Sequence, residues 1–170
     1  MKKILTALGA LLGVLLIGII VFLVYARFHD GPLEIVAGGP FRSGEASAAP
    51  ESWDFLTDRD TIEFQTLTPA RSRTVWLGVH EGRLFIVSGY MNTGFGSLWK
   101  HWPYYLEDDN RIILRIDGKL YEQRLERISN GPVIVPVLRE FNRKYGSGEV
   151  TDASTVTSGD TWMFEVLPRE

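Results

Sequence analysis

A chain of 170 residues, 45% hydrophobic and 23% charged, is sized for one hydrophobic core with a short extra element. It has no cysteine and a formal net charge of −3, which excludes a disulfide framework, thiol chemistry and cysteine-ligated zinc, and with no basic run it argues against a nucleic-acid partner. The three histidines, His29, His80 and His101, show neither H-x-H nor H-E-x-x-H spacing, so no metal site is expected.

The first element is MKK followed by ILTALGALLGVLLIGIIVFLVY, uncharged from Ile4 to Tyr25 and about 30 Å long as a helix. That is bilayer length, and residues 1–26 are expected to form a transmembrane anchor. A signal peptide cut after Ala26 is the rival reading, but the apolar run exceeds the roughly 7–15 residues of a signal-peptide core. Lys2 and Lys3 precede the run, while every Asp and Glu lies beyond Arg27. The positive-inside bias therefore keeps the N-terminus in the cytoplasm and sends the remainder across. The expected location is a bacterial inner membrane, crossed once through Ile4–Val24, with a periplasmic C-terminal domain.

Residues 27–52, RFHDGPLEIVAGGPFRSGEASAAPES, are rich in Gly, Pro and Ala and read as a tether, although GGPFRSGE could fold back over the domain as an arm. Residues 53–170 are expected to form the folded domain. TIEFQTLT sets Ile62, Phe64 and Thr66 against Glu63, Gln65 and Leu67, and RTVWLGVH sets Val75, Leu77 and Val79 on one face, both strand patterns. EGR then turns the chain into LFIVSG, and Asp117–Gly118 in RIILRIDGKLYEQRLERI marks a second hairpin. Leu125 and Ile128 predict a bend or bulge in its long second arm.

Between the hairpins, VSGYMNTGFGSLWKHWPYY runs from a strand ending through glycines into a helical segment, with Leu98, Trp102, Tyr105 and Leu106 at helical spacing and Pro103 restarting the helix. A second helix carries Pro136 in its first turn, an apolar stripe of Leu138, Phe141 and Tyr145, and Gly146 at its end. TWMFEVLP reads as a last strand. The order makes the domain mainly β with α: a six- to seven-stranded antiparallel barrel with two packed helices, preceded by one transmembrane helix.

The succession SRTVWLGVHEGRLFIVSG, GSLWKHW, LEDDNRIILRIDGKLYEQRLERI and FNRKYG, from about Thr61 to Gly146, resembles the split-barrel family of pyridoxamine phosphate oxidase, FMN-binding reductases and deazaflavin (F420)-dependent nitroreductases. The resemblance implies a split β-barrel, and in its flavin-binding members a basic residue opening the second strand joins a Ser/Thr-to-Lys/Arg segment around the cofactor phosphate. The matching positions are Arg71 or Arg73, then Ser88, Ser97 and Lys100, with FMN or F420 as the implied cofactor. It also implies a homodimer, for which Trp99, Trp102 and Tyr105 offer an apolar face.

Other residues have plainer readings. His80 ends a strand at a turn, Glu107–Asp109 is a polar turn rather than a cation site, and His101 is a helix-surface histidine that could also serve as proton donor or haem ligand. Two functions stay open: a membrane-tethered flavin- or deazaflavin-dependent oxidoreductase, and a cofactor-free module binding a lipid, small ligand or protein at the outer face of the membrane.

Overall fold

A computed structural model describes residues 2–93, 101–146 and 152–169. Helix α1, Lys2–Phe28, is uncharged and exposed from Ile4 to Tyr25, with Ala26 buried and Arg27 half-buried at its end. It is long and apolar enough to cross a membrane. Among the described residues seven strands follow: β1 Glu45–Ser47, β2 Thr61–Thr66, β3 Arg71–His80, β4 Arg83–Ser88, β5 Arg111–Ile116, β6 Lys119–Ile128 and β7 Trp162–Pro168. Short helix α2, Trp102–Asp108, separates β4 from β5, while α3, Ile134–Tyr145, and α4, Ser154–Thr157, lie between β6 and β7.

Six strands close a barrel in the order β2-β3-β4-β7-β6-β5, each pair antiparallel, with β5 returning to β2. The extra strand β1 runs parallel to the start of β6, Glu45 opposite Lys119. Both expected hairpins form at two-residue turns. Glu81 and Gly82 have φ of 51° and 73°, and Asp117 and Gly118 have φ of 51° and 77°, the left-handed pair that matches strand twist.

Closure depends on two long strands that change partners. β3 pairs with β2 through Trp76 and with β4 from Leu77, while β6 pairs with β5 through Arg124 and with β7 from Gln123. The expected bulge in β6 is absent, because both of its ladders run without an inserted residue. Leu125 points into the barrel, and Ile128 points outward, partly buried against a second apolar cluster, so period-two alternation holds.

The barrel interior is filled from alternate strand positions, including Phe64, Leu77, Leu84, Ile86, Ile112 and Leu114, each fully buried. Trp102 caps this core, with ring centroids 5.0 Å from Phe64 and 5.5 Å from Phe164. Outside, α3 packs on β3 and lays Ile134, Val137 and Phe141 over Phe85 and Met163. Gly78 makes this approach possible, since a Cβ there would stand 2.6 Å from the Phe141 ring. The Tyr145 hydroxyl meets the amide and carbonyl of Leu77 at 3.3 and 2.9 Å, beyond the point where β2 has ended, and Trp76 stacks on the same tyrosine ring at 5.1 Å.

Of the two readings of residues 27–52, the strand pairing follows the arm. Gly38 exchanges backbone hydrogen bonds with Ser72 at 2.9 and 3.3 Å, and the Ser72 hydroxyl donates to the Gly39 carbonyl at 2.5 Å. β1 then adds to β6. Backbone pairing thus holds the segment against the barrel at Gly38 and at β1.

Candidate functional site

Two concave regions flank this arm, and their arginines are treated oppositely. The first holds Arg115 of β5, whose Nε donates to Glu63 at 2.5 Å and whose Nη1 donates to Asp30 at 2.9 Å, with the Phe41 ring 4.3 Å away. Burial works against the Arg115 charge, but the hydrogen bond and charge of Glu63, joined by Asp30, outweigh it and make the guanidinium more basic than a free one. Asp30 experiences the reverse: burial raises its pKa, yet the Ser43 hydroxyl, the Arg42 amide and Arg115 together lower it to about 2. Gly31, at φ +88°, lets the guanidinium pass, since a Cβ there would fall 1.9 Å from it. Arg115 is answered by Glu63 and Asp30, so this triad is a structural clasp joining arm to barrel.

The second region is a cleft of about 670 Å³ between the C-terminal end of α1, the arm and the mouth of the barrel. Its polar wall is Arg71, Arg73, His101 and Tyr105, joined by Arg27 at the last turn of α1. The alternation of β3 places Arg71 and Arg73 on the same side as Val75, Leu77 and Val79, the inward face. At this end of the strand the inward face opens onto the mouth, and Arg73 lies over the Trp102 cap, 6.0 Å from its ring.

Arg73 lacks the partners Arg115 has. Among the described residues its buried Nε has no hydrogen-bond acceptor, and neither Arg27, Arg71 nor Arg73 makes an ion pair. Burial, added to the like charge of Arg71 and only partly offset by Tyr105, pulls the Arg73 pKa down to about 10. An orphaned buried donor on a charged group costs free energy until an acceptor arrives. An anionic ligand would be that acceptor.

The apolar wall comes from Ile20, Leu23, Val24 and Phe28 of α1, facing Ile35, Val36 and Ala37 of the arm. With Arg27, the α1 positions fall at i, i+3, i+4, i+7 and i+8, one stripe of a helix. The sequence marks Arg71 or Arg73, His101 and Tyr105, but not this stripe. The spacing around Arg27 was the available signal, hidden because every residue of the run is apolar.

The structure separates the four expected cofactor-binding residues. Arg73 lines the cleft. Ser88 follows Leu84 and Ile86 on the inward row of β4, is buried, and donates its hydroxyl to the Met91 sulfur at 3.3 Å; it does not line the cleft. Ser97 and Lys100 lie outside the described residues. His101, exposed just before α2, is at the rim. Tested against FMN or F420, the cleft suits a phosphate at its arginine end, whereas the wall beyond it is apolar, Phe28 included, and among the described residues supplies no side-chain donor for the polar edge of a flavin ring.

No family model and no curated protein matches the chain. Similar solved structures include the heme storage protein HutZ from Vibrio cholerae (9% identity, TM-score 0.48, covering 69% of this chain and 87% of that one). A conserved hypothetical protein from Mycobacterium tuberculosis is 15% identical, with TM-score 0.49 and coverage of 69% and 78%. A putative pyridoxamine 5'-phosphate oxidase from Listeria innocua is 9% identical, with TM-score 0.45 and coverage of 69% and 90%. On its own strand pairing, independently of these likenesses, the chain forms the antiparallel split barrel that its sequence leads one to expect.

Proposed function

We propose that the protein is a membrane-tethered split-barrel module that binds an anion-bearing ligand in the cleft between α1, the arm and the barrel mouth. The observation that carries this reading is Arg73, a charged group with a buried, unpartnered Nε beside a second unpaired arginine. In this reading α1 crosses the cytoplasmic membrane with Lys2 and Lys3 inside, and the barrel stands on the periplasmic side. A binding role is favoured over flavin-dependent oxidation because, among the described residues, the arginine end of the cleft suits a phosphate while its apolar wall offers no hydrogen-bond partner to a flavin ring.

The test is thermal melting of the full chain in detergent with inorganic phosphate, FMN or F420, alongside an absorbance spectrum of the protein as purified. Phosphate should raise the melting temperature of the wild type and leave an Arg71→Gln, Arg73→Gln double variant unchanged. Equal stabilisation of both would remove these residues from the site. Flavin, deazaflavin or Soret absorbance, or tight FMN or F420 binding, would replace the binding module with a cofactor-carrying protein.

A further inference from the structure

We infer that the ligand is an anionic membrane phospholipid, with its phosphate on Arg71 and Arg73 and an acyl chain lying along α1. This deepens the anion-binding reading above and rests on it. The argument is one of depth. Helix α1 rises about 1.5 Å per residue, so if Ile4–Val24 fills a hydrocarbon layer of about 30 Å, Arg27 stands one turn outside it, at the level of lipid phosphates.

The cleft does not stop at that level. It continues past Val24 and Leu23 to Ile20, about 10 Å below Arg27 along the helix. A water-soluble anion would satisfy the arginines and leave that lower part empty or wet. A polar ligand long enough to fill it would lose its hydration against Ile20 and Leu23 without gaining hydrogen bonds. A phospholipid matches both ends, since its charged phosphate supplies the acceptor that Arg73 lacks while its chain covers the aliphatic stripe.

The opposite wall fits the same occupant. Ile35 is 89% exposed and Phe28 64% exposed, and both border the cleft. Such apolar surface beside unpaired cations is stable where a headgroup meets hydrocarbon. The arm is pinned at Gly38 by its backbone exchange with Ser72, so Ile35, Val36 and Ala37 form a fixed rail rather than a free flap.

The experiment is native mass spectrometry of the full chain released from micelles containing equal amounts of dioleoyl phosphatidic acid and dioleoyl phosphatidylcholine, with inorganic phosphate as competitor. Phosphatidic acid should remain bound at one per chain and phosphatidylcholine should not. Arg73→Gln should reduce retention at least tenfold, and Arg71→Gln should do the same if the first variant folds poorly. Leu23→Trp, which fills the tail end of the cleft, should lose the lipid at least tenfold yet keep the rise in melting temperature produced by inorganic phosphate.

Equal retention of phosphatidylcholine would mean non-specific lipid and overturn the inference. Phosphatidic acid held unchanged by Leu23→Trp and displaced by inorganic phosphate would also overturn it, while leaving the anion site intact. Failure of both phosphatidic acid and inorganic phosphate to respond to the arginine substitutions would overturn the lipid and the anion site together.

Discussion

Arg115 and Arg73 project from the same small barrel, yet one is enclosed by carboxylates and the other by apolar walls and its own kind. Arg115 holds Glu63 and Asp30 at 2.5 and 2.9 Å. Arg73 has a buried Nε with no acceptor and a pKa lowered to about 10. The difference separates charge that builds a fold from charge held ready for something else. Both arginines are costly to desolvate, but only one recovers that cost within the chain.

The sharpest way to break this comparison is to remove each charge while keeping its bulk. Arg115→Met would leave Glu63 and Asp30 without their shared cation, and a loss of about 2 kcal/mol is expected, discounted from fully buried pairs because the carboxylates are about one-third exposed. Urea unfolding of the full chain in detergent measures it. An unchanged midpoint would mean the clasp is ornamental.

Gly118→Val probes the rim of the same region. Gly118 sits at φ +77° with open space around its Cβ position, so the expected loss, about 1 kcal/mol, is backbone strain alone. A loss well above that would place a packing role where the structure shows none.

Acid gives a similar loss by another route. The Asp30 pKa is lower in the fold, about 2, than its ordinary 3.8, so the unfolded chain binds the proton first and stability falls as pH drops from about 4 to 2. About 1 kcal/mol should be lost after discounting for exposure. In Arg115→Met this acid-dependent loss should shrink, and an undiminished one would detach Asp30 from the clasp.

The smallest effect belongs to Arg73→Met. Because burial lowers the Arg73 pKa, the folded state disfavours its charge at neutral pH, and the methionine variant should be as stable as wild type or more stable by a few tenths of a kcal/mol. Its phosphate response should nonetheless vanish. A strong destabilisation would reclassify Arg73 as a second structural arginine.

How much of this contrast the sequence carries follows from the range of each interaction. The turns at Glu81–Gly82 and Asp117–Gly118 are local chemistry, legible because left-handed backbone selects few residues. Pro103 and Pro136 likewise mark α2 and α3 near their starts. The Arg115 clasp joins residues 85 and 52 positions apart, and nothing local in DGP or TIEF announces it. The arm is ambiguous for the same reason, being held by long-range backbone pairing and by the clasp, neither of which composition encodes. At the cleft, Arg73 was legible through resemblance, whereas the stripe on α1 was masked by a helix apolar all round. Ser88 was misleading because a hydroxyl at a strand end looks available until Met91 is seen to take it.

The partner exchange along β3 and β6 has a consequence for how the molecule is made. The barrel closes only when β7 slots between β4 and β6, so during synthesis both strands keep open edges until the last strand of the sheet has emerged. Those edges include Leu84, Phe85, Ile86 and Leu125, side chains that end fully or almost fully covered. Pairings of such long range form slowly, and an exposed apolar edge invites pairing with another chain. A chain halted before Trp162 should therefore collect in aggregates with an otherwise complete arm, clasp and first hairpin, and its yield in soluble form would be limited by the time it spends waiting for one strand.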